Sequence, residues 1–330
     1  MLLLLTLLPF AMASSPCPAD PELRDSDGDL TVLTQNLKFI ATGSHRAARA
    51  ELLRAYLQGD GGAVDLLLLQ EARITGTLGS LAPDWCLYGQ GGDGRSGYAW
   101  HPVAAVRSPG GLVLGVRRSE HGRPRRIASG GGKRFRARAV TLAEGLLGPV
   151  FAYRKGWATL TVDDTRIVWS HTQASYRRRP ERGAGAPGQG RAGQFDDLAT
   201  DLGRPAEATL ITGDLNLLAG FRPHCKANEA GVCRARDIDD STIARFRTQT
   251  GLDLSWFASV STFAGSLFKG RGASLWDAEA AYDRVGVNDA FLERHPGAHV
   301  TTVEIGDERM RVSDHLGLRI TIPFGPDGSR

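Results

Sequence analysis

Nine short runs along the chain set apolar residues where buried strands need them: TVLTQNL (31–37), VDLLLLQE (64–71), GLVLGV (111–116), GWATLTV (156–162), RIVWSHT (166–172), ATLITGD (208–214), DRVGV (283–287), HVTTVEI (299–305) and HLGLRITI (315–322). Between the first two, HRAARAELLRAYLQ has the spacing of a helix. Ser44 suits its N-cap, and Ala48, Leu52 and Leu53, then Tyr56 and Leu57, line one face. AGQFDDLATDL, ending before Gly203, predicts a second helix. Buried strands interleaved with helices predict a layered α/β protein. No internal repeat breaks the pattern, so one domain is expected over residues 30–324. It would be preceded by a flexible segment (14–29) and followed by a disordered tail (325–330).

The first 13 residues stand apart. MLLLLTLLPF is too short to span a bilayer, and Ala11-Met12-Ala13 offers the small residues of a signal-peptidase site. Cleavage after Ala13 and secretion are expected. Four cysteines fit an oxidising compartment. Cys225 and Cys233 bracket KANEAGV, a loop that a disulfide would close, whereas their spacing is wide for a metal site. Whether Cys17 pairs with Cys86 is left open by the sequence.

Charge changes the picture through its distribution. The net charge is only +4, yet residues 117–138 hold nine Lys/Arg against one Glu, and residues 177–191 hold five Arg against one Glu. Two Gly-rich basic loops on an otherwise acidic body suggest contact with an anionic surface, phospholipid or nucleic acid, or else two solvated loops.

The strand ends carry the candidate chemistry. TVLTQN ends at Asn36, DLLLLQE at Glu71, RIVWSH at His171 and TLITGDLN at Asp214 and Asn216; RVSDH sets Asp314 and His315 before the last strand. One carboxylate after an apolar run is ordinarily a turn residue. Polar groups at the ends of five such strands point to one site. Carboxylates and amides hold a hard cation through oxygen, and histidines exchange protons near neutral pH.

Asn, then Q-E, a strand His, G-D-x-N and S-D-H, in this order, resemble the endonuclease/exonuclease/phosphatase superfamily, whose members are similar to pancreatic deoxyribonuclease. That resemblance implies a four-layer sandwich of two central mixed β-sheets flanked by helices. Within the superfamily, RKGWATLTV, HTQA (171–174) and SLWDAEAAYDRVGV resemble segments of the secreted bacterial neutral sphingomyelinases, which puts Asp277 and Asp283 on family positions. The chain departs from that family in one respect. The aromatic hairpin that precedes S-D-H there is absent, and Phe291 is the only aromatic residue in 284–313.

The resemblance implies a division of roles. Glu71 would bind Mg²⁺, or Mn²⁺ or Co²⁺, with Asn36 close by and Asp214 contributing. His315 would be the general base, oriented by Asp314, and His171 would assist the leaving oxygen. Asp214 and Asn216 would position water and phosphate, Lys155 would bind a phosphate oxygen, Asp277 would serve the reaction by its family position, and Asp283 would support a histidine. Trp157 reads as core, and Tyr98 and Trp100 as rings that could face a choline cation. The expected protein is a monomeric, secreted phosphodiesterase that cleaves sphingomyelin at a membrane surface touched by the two basic loops. The alternatives are a secreted nuclease of the same fold and a non-catalytic protein binding lipid surfaces or a host partner.

Overall fold

The computed structural model describes residues 17–19, 21–25, 28–37, 45–72, 77–81, 83–91, 99–102, 111–118, 123–135, 155–172, 189–217, 230–257 and 282–324. One sheet runs in the order β14 (His299–Val303), β15 (Gly317–Pro323), β2 (Asp29–Asn36), β3 (Leu66–Gln70), β6 (Val113–Arg117), β4 (Trp85–Gly91) and β5 (Ala99–Pro102). The other runs β12 (Asp253–Phe257), β13 (Asp283–Val287), β11 (Ala208–Asp214), β10 (Thr165–His171), β9 (Gly156–Val162) and β8 (Ile127–Arg134). Both sheets are mixed. β2 and β3 run parallel, as do β10 and β11, and the other pairs are antiparallel.

Three apolar clusters separate four layers. Between the sheets, Val32, Leu66, Leu68 and Leu114 meet Leu160, Ile167, Trp169, Leu210 and Val285. On the outer side of the seven-stranded sheet, Leu33, Leu67 and Leu69 pack on Ala50, Leu53 and Leu57 of α1 (Arg46–Gln58). The outer side of the six-stranded sheet sets Val168 and Ile211 against Phe195 and Leu198 of α2 (Gln189–Leu202) and Phe246 of α3 (Ala230–Thr250). The unbroken Leu66–Leu69 run follows from this: alternate leucines face different layers, and both faces are covered. The rings of Phe195 and Phe246 join the two helices edge to face at 5.3 Å. A short helix, α4 (Asp289–Arg294), starts at Asn288, whose side chain accepts from the Phe291 N–H at 3.0 Å.

Several expectations are corrected. The N-cap of α1 is His45, in the left-handed region and without a side-chain cap bond, and Ser44 lies outside the described residues. Ala48 is exposed; Arg49, not Ala48, joins the buried face. Of the segment 14–29, expected to be flexible, the described residues are fastened to the body. Cys17 is bonded to Cys86, the Tyr88 hydroxyl donates to Pro18 O, and Leu23 is buried in β1 (Leu23–Asp25), which pairs with β7 (Arg123–Arg125). β7 and β8 also replace much of the expected basic loop 117–138. There the Arg125 guanidinium pairs with Asp163 and lies over the Phe324 ring, and Lys133 pairs with Asp201. Cys233 falls within α3 rather than in a loop; Cys225 and any bridge between the two lie outside the described residues. So do residues 1–13, 177–188 and 325–330. Among the described residues, no helix is long and apolar enough to cross a membrane.

Candidate active site

The topology explains why polar strand ends converge. Parallel neighbours share a carboxyl end, so Asn36 pairs with Gln70, next to Glu71, and His171 pairs with Asp214. The antiparallel strands β13 and β15 start at that same end. Asp283 lies opposite Asp214, and His315 stands just before β15. The sheets face each other, and one edge of the sandwich gathers all of these groups.

Backbone geometry tightens the arrangement. Gly213 has φ +126°, and a Cβ there would lie 2.1 Å from Ser170 O, so only glycine lets β11 approach β10 at this point. Glu71 and Asn216 both take positive φ, near +50°, a strained choice for residues with side chains. The turn after Asp214 is held by hydrogen bonds. Asn216 N–H donates to Asp214 Oδ1 at 3.2 Å and Asn216 Nδ2 to Thr172 O at 3.0 Å, while the Thr172 hydroxyl donates to Leu215 O at 2.5 Å.

Two clusters result. In the first, His171, fully buried, has Nε2 3.2 Å from Glu71 Oε1 and 3.4 Å from Asp214 Oδ2. Asn36 Nδ2 donates to the same Asp214 oxygen at 2.7 Å. Lys155 reaches in with Nζ 3.7 Å from Glu71 Oε1 and in contact with the His171 ring. In the second, His315 Nδ1 meets Asp283 Oδ2 at 2.7 Å. Asp214 belongs to both: its carboxylate comes within 4.8 Å of donor atoms on Glu71 and His171, and on Asp283 and His315.

The electrostatics follow from this packing. Burial pushes the Glu71 carboxyl up, but the His171 hydrogen bond and the Lys155 charge outweigh it and hold the group at about 2. Asp214 is likewise held well below the usual range: burial is overcome by the His315 cation and by His171. Burial pushes His315 down, yet Asp283 and Asp214, and then Asp314, hold it up at about 10. Glu71 and Asp214 are therefore ionised carboxylates.

The donor set fits a hard divalent cation. Glu71 and Asp214 supply carboxylate oxygens, Asn36 stands beside them, and the Glu71 side chain keeps 15% of its surface open. Magnesium suits such sparse coordination because it retains waters. The His171 imidazole would equally tolerate Mn²⁺ or Co²⁺.

Most of the residues singled out in the sequence meet here, with one exchange of roles. Asp283, not Asp314, is the carboxylate on His315 Nδ1; Asp314 is buried behind it and lends its charge. Asp277 and Tyr98 lie outside the described residues, and the Trp100 side chain is not described. Trp157 is buried against Phe135 and Phe195 in the outer core. Two residues escaped the sequence reading. Gln35 Nε2 donates to Asn36 O at 2.9 Å and to His315 O at 3.1 Å. Arg49, almost fully buried, donates to the carbonyls of Leu37 and Val312. The signal for Arg49 was a charge set in an apolar helical stripe.

No protein-family model matches the chain, and no curated protein matches it. Solved structures do. A beta toxin from Staphylococcus aureus is 14% identical, with a TM-score of 0.55 over 88% of this chain and 99% of that one. TDP2 from D. rerio, complexed with a single strand DNA product, is 15% identical, with a TM-score of 0.54 over 89% and 99%. An endonuclease/exonuclease/phosphatase family protein from Bacteroides thetaiotaomicron is 15% identical, with a TM-score of 0.50 over 91% and 99%. The chain has the fold of the endonuclease/exonuclease/phosphatase proteins.

Proposed function

We propose that the protein is a divalent-metal-dependent phosphoric diester hydrolase, and that its substrate is sphingomyelin, cleaved to ceramide and phosphocholine. The observation that carries the hydrolase reading is the Glu71–His171–Asp214 cluster set beside the Asp283–His315 pair.

A phosphodiester resists water because its anionic oxygens repel a nucleophile and its leaving alkoxide is poor. A divalent ion held by Glu71 and Asp214 would place positive charge against a phosphoryl oxygen. In its neutral form His315, engaged at Nδ1 by Asp283, would accept a proton at Nε2 from the attacking water, and Asp283 would stabilise the imidazolium that results. Asp314 adds negative charge from behind. His171, fixed between Glu71 and Asp214, stabilises or protonates the leaving oxygen. The Lys155 ammonium pairs with a phosphate oxygen. Asn216 locks the turn that orients Asp214.

The choice of sphingomyelin rests on the R-K-G, HTQA and SLWDAEAAYDRVGV segments. Phe291, the one aromatic residue of 284–313, is buried against Trp256 and His295, so it offers no membrane anchor. Surface contact then falls to the basic segments. Secretion is supported by the N-terminal apolar run and by the Cys17–Cys86 bond, which suits an oxidising compartment. The nuclease reading is favoured by the fold shared with TDP2 in its DNA-product complex and by Arg177, Arg178, Arg179 and Arg182, which would meet backbone phosphates, whereas Arg191 is buried. Purified mature protein given sphingomyelin liposomes and plasmid DNA in parallel, with Mg²⁺ and with EDTA, separates these readings. Phosphocholine release that EDTA abolishes is expected; DNA cleavage alone would overturn the lipid assignment.

A further inference from the structure

Arg49 is a cation in a place where packing alone calls for an apolar residue. It lies on the face of α1 that carries Ala50, Leu53 and Leu57 into the sheet, with 2% of its surface exposed. Its Nε donates to Val312 O at 2.7 Å and its Nη2 to Leu37 O. Leu37 directly follows Asn36, and Val312 precedes Ser313-Asp314-His315. One planar guanidinium therefore spans the turn that leaves β2 and the turn that enters β15. The ladder between these strands reaches only to Leu318 opposite Thr34, short of both turns. Beyond that point Gln35 and Arg49 tie them together.

Burying a cation this deeply costs several kcal/mol unless acceptors and opposite charges surround it. The two carbonyls are the acceptors, and Asp314 and Glu71 attract the charge. A methionine would fill the same stripe without that cost, so filling space does not account for the arginine.

We propose that Arg49 is a positioning residue: by bridging Leu37 and Val312 it fixes the distance between Asn36 and Glu71 on one side and Asp314 and His315 on the other. The inference rests on the hydrolase reading above. It assigns Arg49 no contact with substrate. The fork is essential to the role, because an ammonium carries the same charge but cannot hold two divergent carbonyls in one rigid plane.

The test compares wild type, Arg49→Lys and Arg49→Met, with Arg54→Met on the outer side of the same helix as control. Turnover and KM on bis-nitrophenyl phosphate, Mg²⁺ affinity by calorimetry, and near-UV circular dichroism with thermal melting are measured on each. Displacing reacting groups by about 1 Å costs up to roughly 100-fold, so Arg49→Lys should keep its fold, lose at least about tenfold in kcat and change KM by less than about twofold. Arg49→Met should lose more in kcat and bind Mg²⁺ more weakly. The control should match wild type. Wild-type kcat per folded molecule in both Arg49 variants would overturn the proposal, even with a lowered melting temperature, because the residue would then serve stability alone. Tighter Mg²⁺ binding with unchanged kcat in Arg49→Met would also overturn it, reducing Arg49 to a repelling charge. If both variants unfold, Arg49 is structural and the proposal falls. A wild-type protein that neither hydrolyses the diester nor binds Mg²⁺ overturns the hydrolase reading first, and this inference with it.

Discussion

The two sheets are backed by buried arginines that are used in opposite ways. Behind the six-stranded sheet, Arg191 of α2 donates through Nε and Nη2 to Asp239 of α3, with both side chains sealed from solvent. Arg284 of β13 is buried in the same field; burial draws its pKa down to about 10 against the pull of Asp239 and Asp240. Behind the seven-stranded sheet, Arg49 gives its donors to the main chain of the site. A charge neutralised within a helix layer holds layers together, whereas a charge lent to two turns sets the geometry between them. The reacting groups divide in the same manner: His171 belongs to one sheet and His315 precedes a strand of the other, so neither half is complete alone.

The largest effect should come from the carboxylate proposed to hold the metal. Glu71→Ala is expected to remove Mg²⁺-dependent turnover, with millimolar Mg²⁺ restoring little. Full activity of this variant in EDTA, at the level wild type reaches with Mg²⁺, would break the metal assignment. Next come the histidines, one per sheet. His171→Ala and His315→Ala should each lose at least about 100-fold in turnover, the usual scale of general acid–base catalysis. A nitrophenyl phosphocholine, with its good leaving group, should partly rescue His171→Ala and leave His315→Ala slow. Rescue of the opposite variant would exchange their roles.

The comparison itself is sharpened by Arg191→Met. Breaking this buried pair should cost about 3–5 kcal/mol by denaturant unfolding, with kcat per folded molecule unchanged. A fall in kcat matching that of Arg49→Lys would erase the distinction between the two arginines. The smallest effect is expected at His295, far from the cleft, which links α4 to β10 and β15: its Nδ1 donates to Pro323 O and its Nε2 accepts from the Thr165 hydroxyl. Burial, aided by Arg294 and Arg125, holds its pKa below 6.5. The neutral ring thus contributes stability that is complete above about pH 6.5 and is lost as pH falls through the depressed folded value. His295→Gln, which keeps a donor and an acceptor but does not titrate, should flatten the melting temperature between pH 7 and 5. An unchanged slope would mean that other groups set it.

All nine expected runs coincide with strands. In eight of them buried apolar residues leave the visible pattern, whereas β14 is an edge strand with exposed and half-buried side chains, and β4 escaped although Trp85, Cys86, Leu87 and Tyr88 are buried. β8 left no pattern: IASGGGKR is an edge strand with an irregular register at Ser129/Gly131, and a side chain on Gly130 would collide with Thr159 Oγ1. Among the described side chains of α3 the buried ones, Asp239, Thr242, Phe246 and Thr250, are mostly polar, so hydrophobic spacing gives no signal there. Site residues were legible where they terminate apolar runs. The partner of His315 was legible only in part: the resemblance made Asp283 the support of a histidine, but the sequence set Asp314 beside His315, whereas the carboxylate that reaches Nδ1 comes from β13, 32 residues earlier.

The seven-stranded sheet has an order that matters to a chain made from its N-terminus. β15 lies between β14 and β2, with Leu318 opposite Thr34, so β2 emerges early and keeps an open edge until residues near 323 exist. Asp314 and His315 precede that strand by only a few positions. A chain halted between Asp214 and His315 carries Asn36 and Glu71 on an unfinished sheet and His171 and Asp214 on the other, lacks the second histidine, and has a bare edge that invites mispairing. The proton acceptor proposed for the reaction is delivered together with the strand that seals the sheet, so a chain halted before that strand is inert toward phosphodiesters.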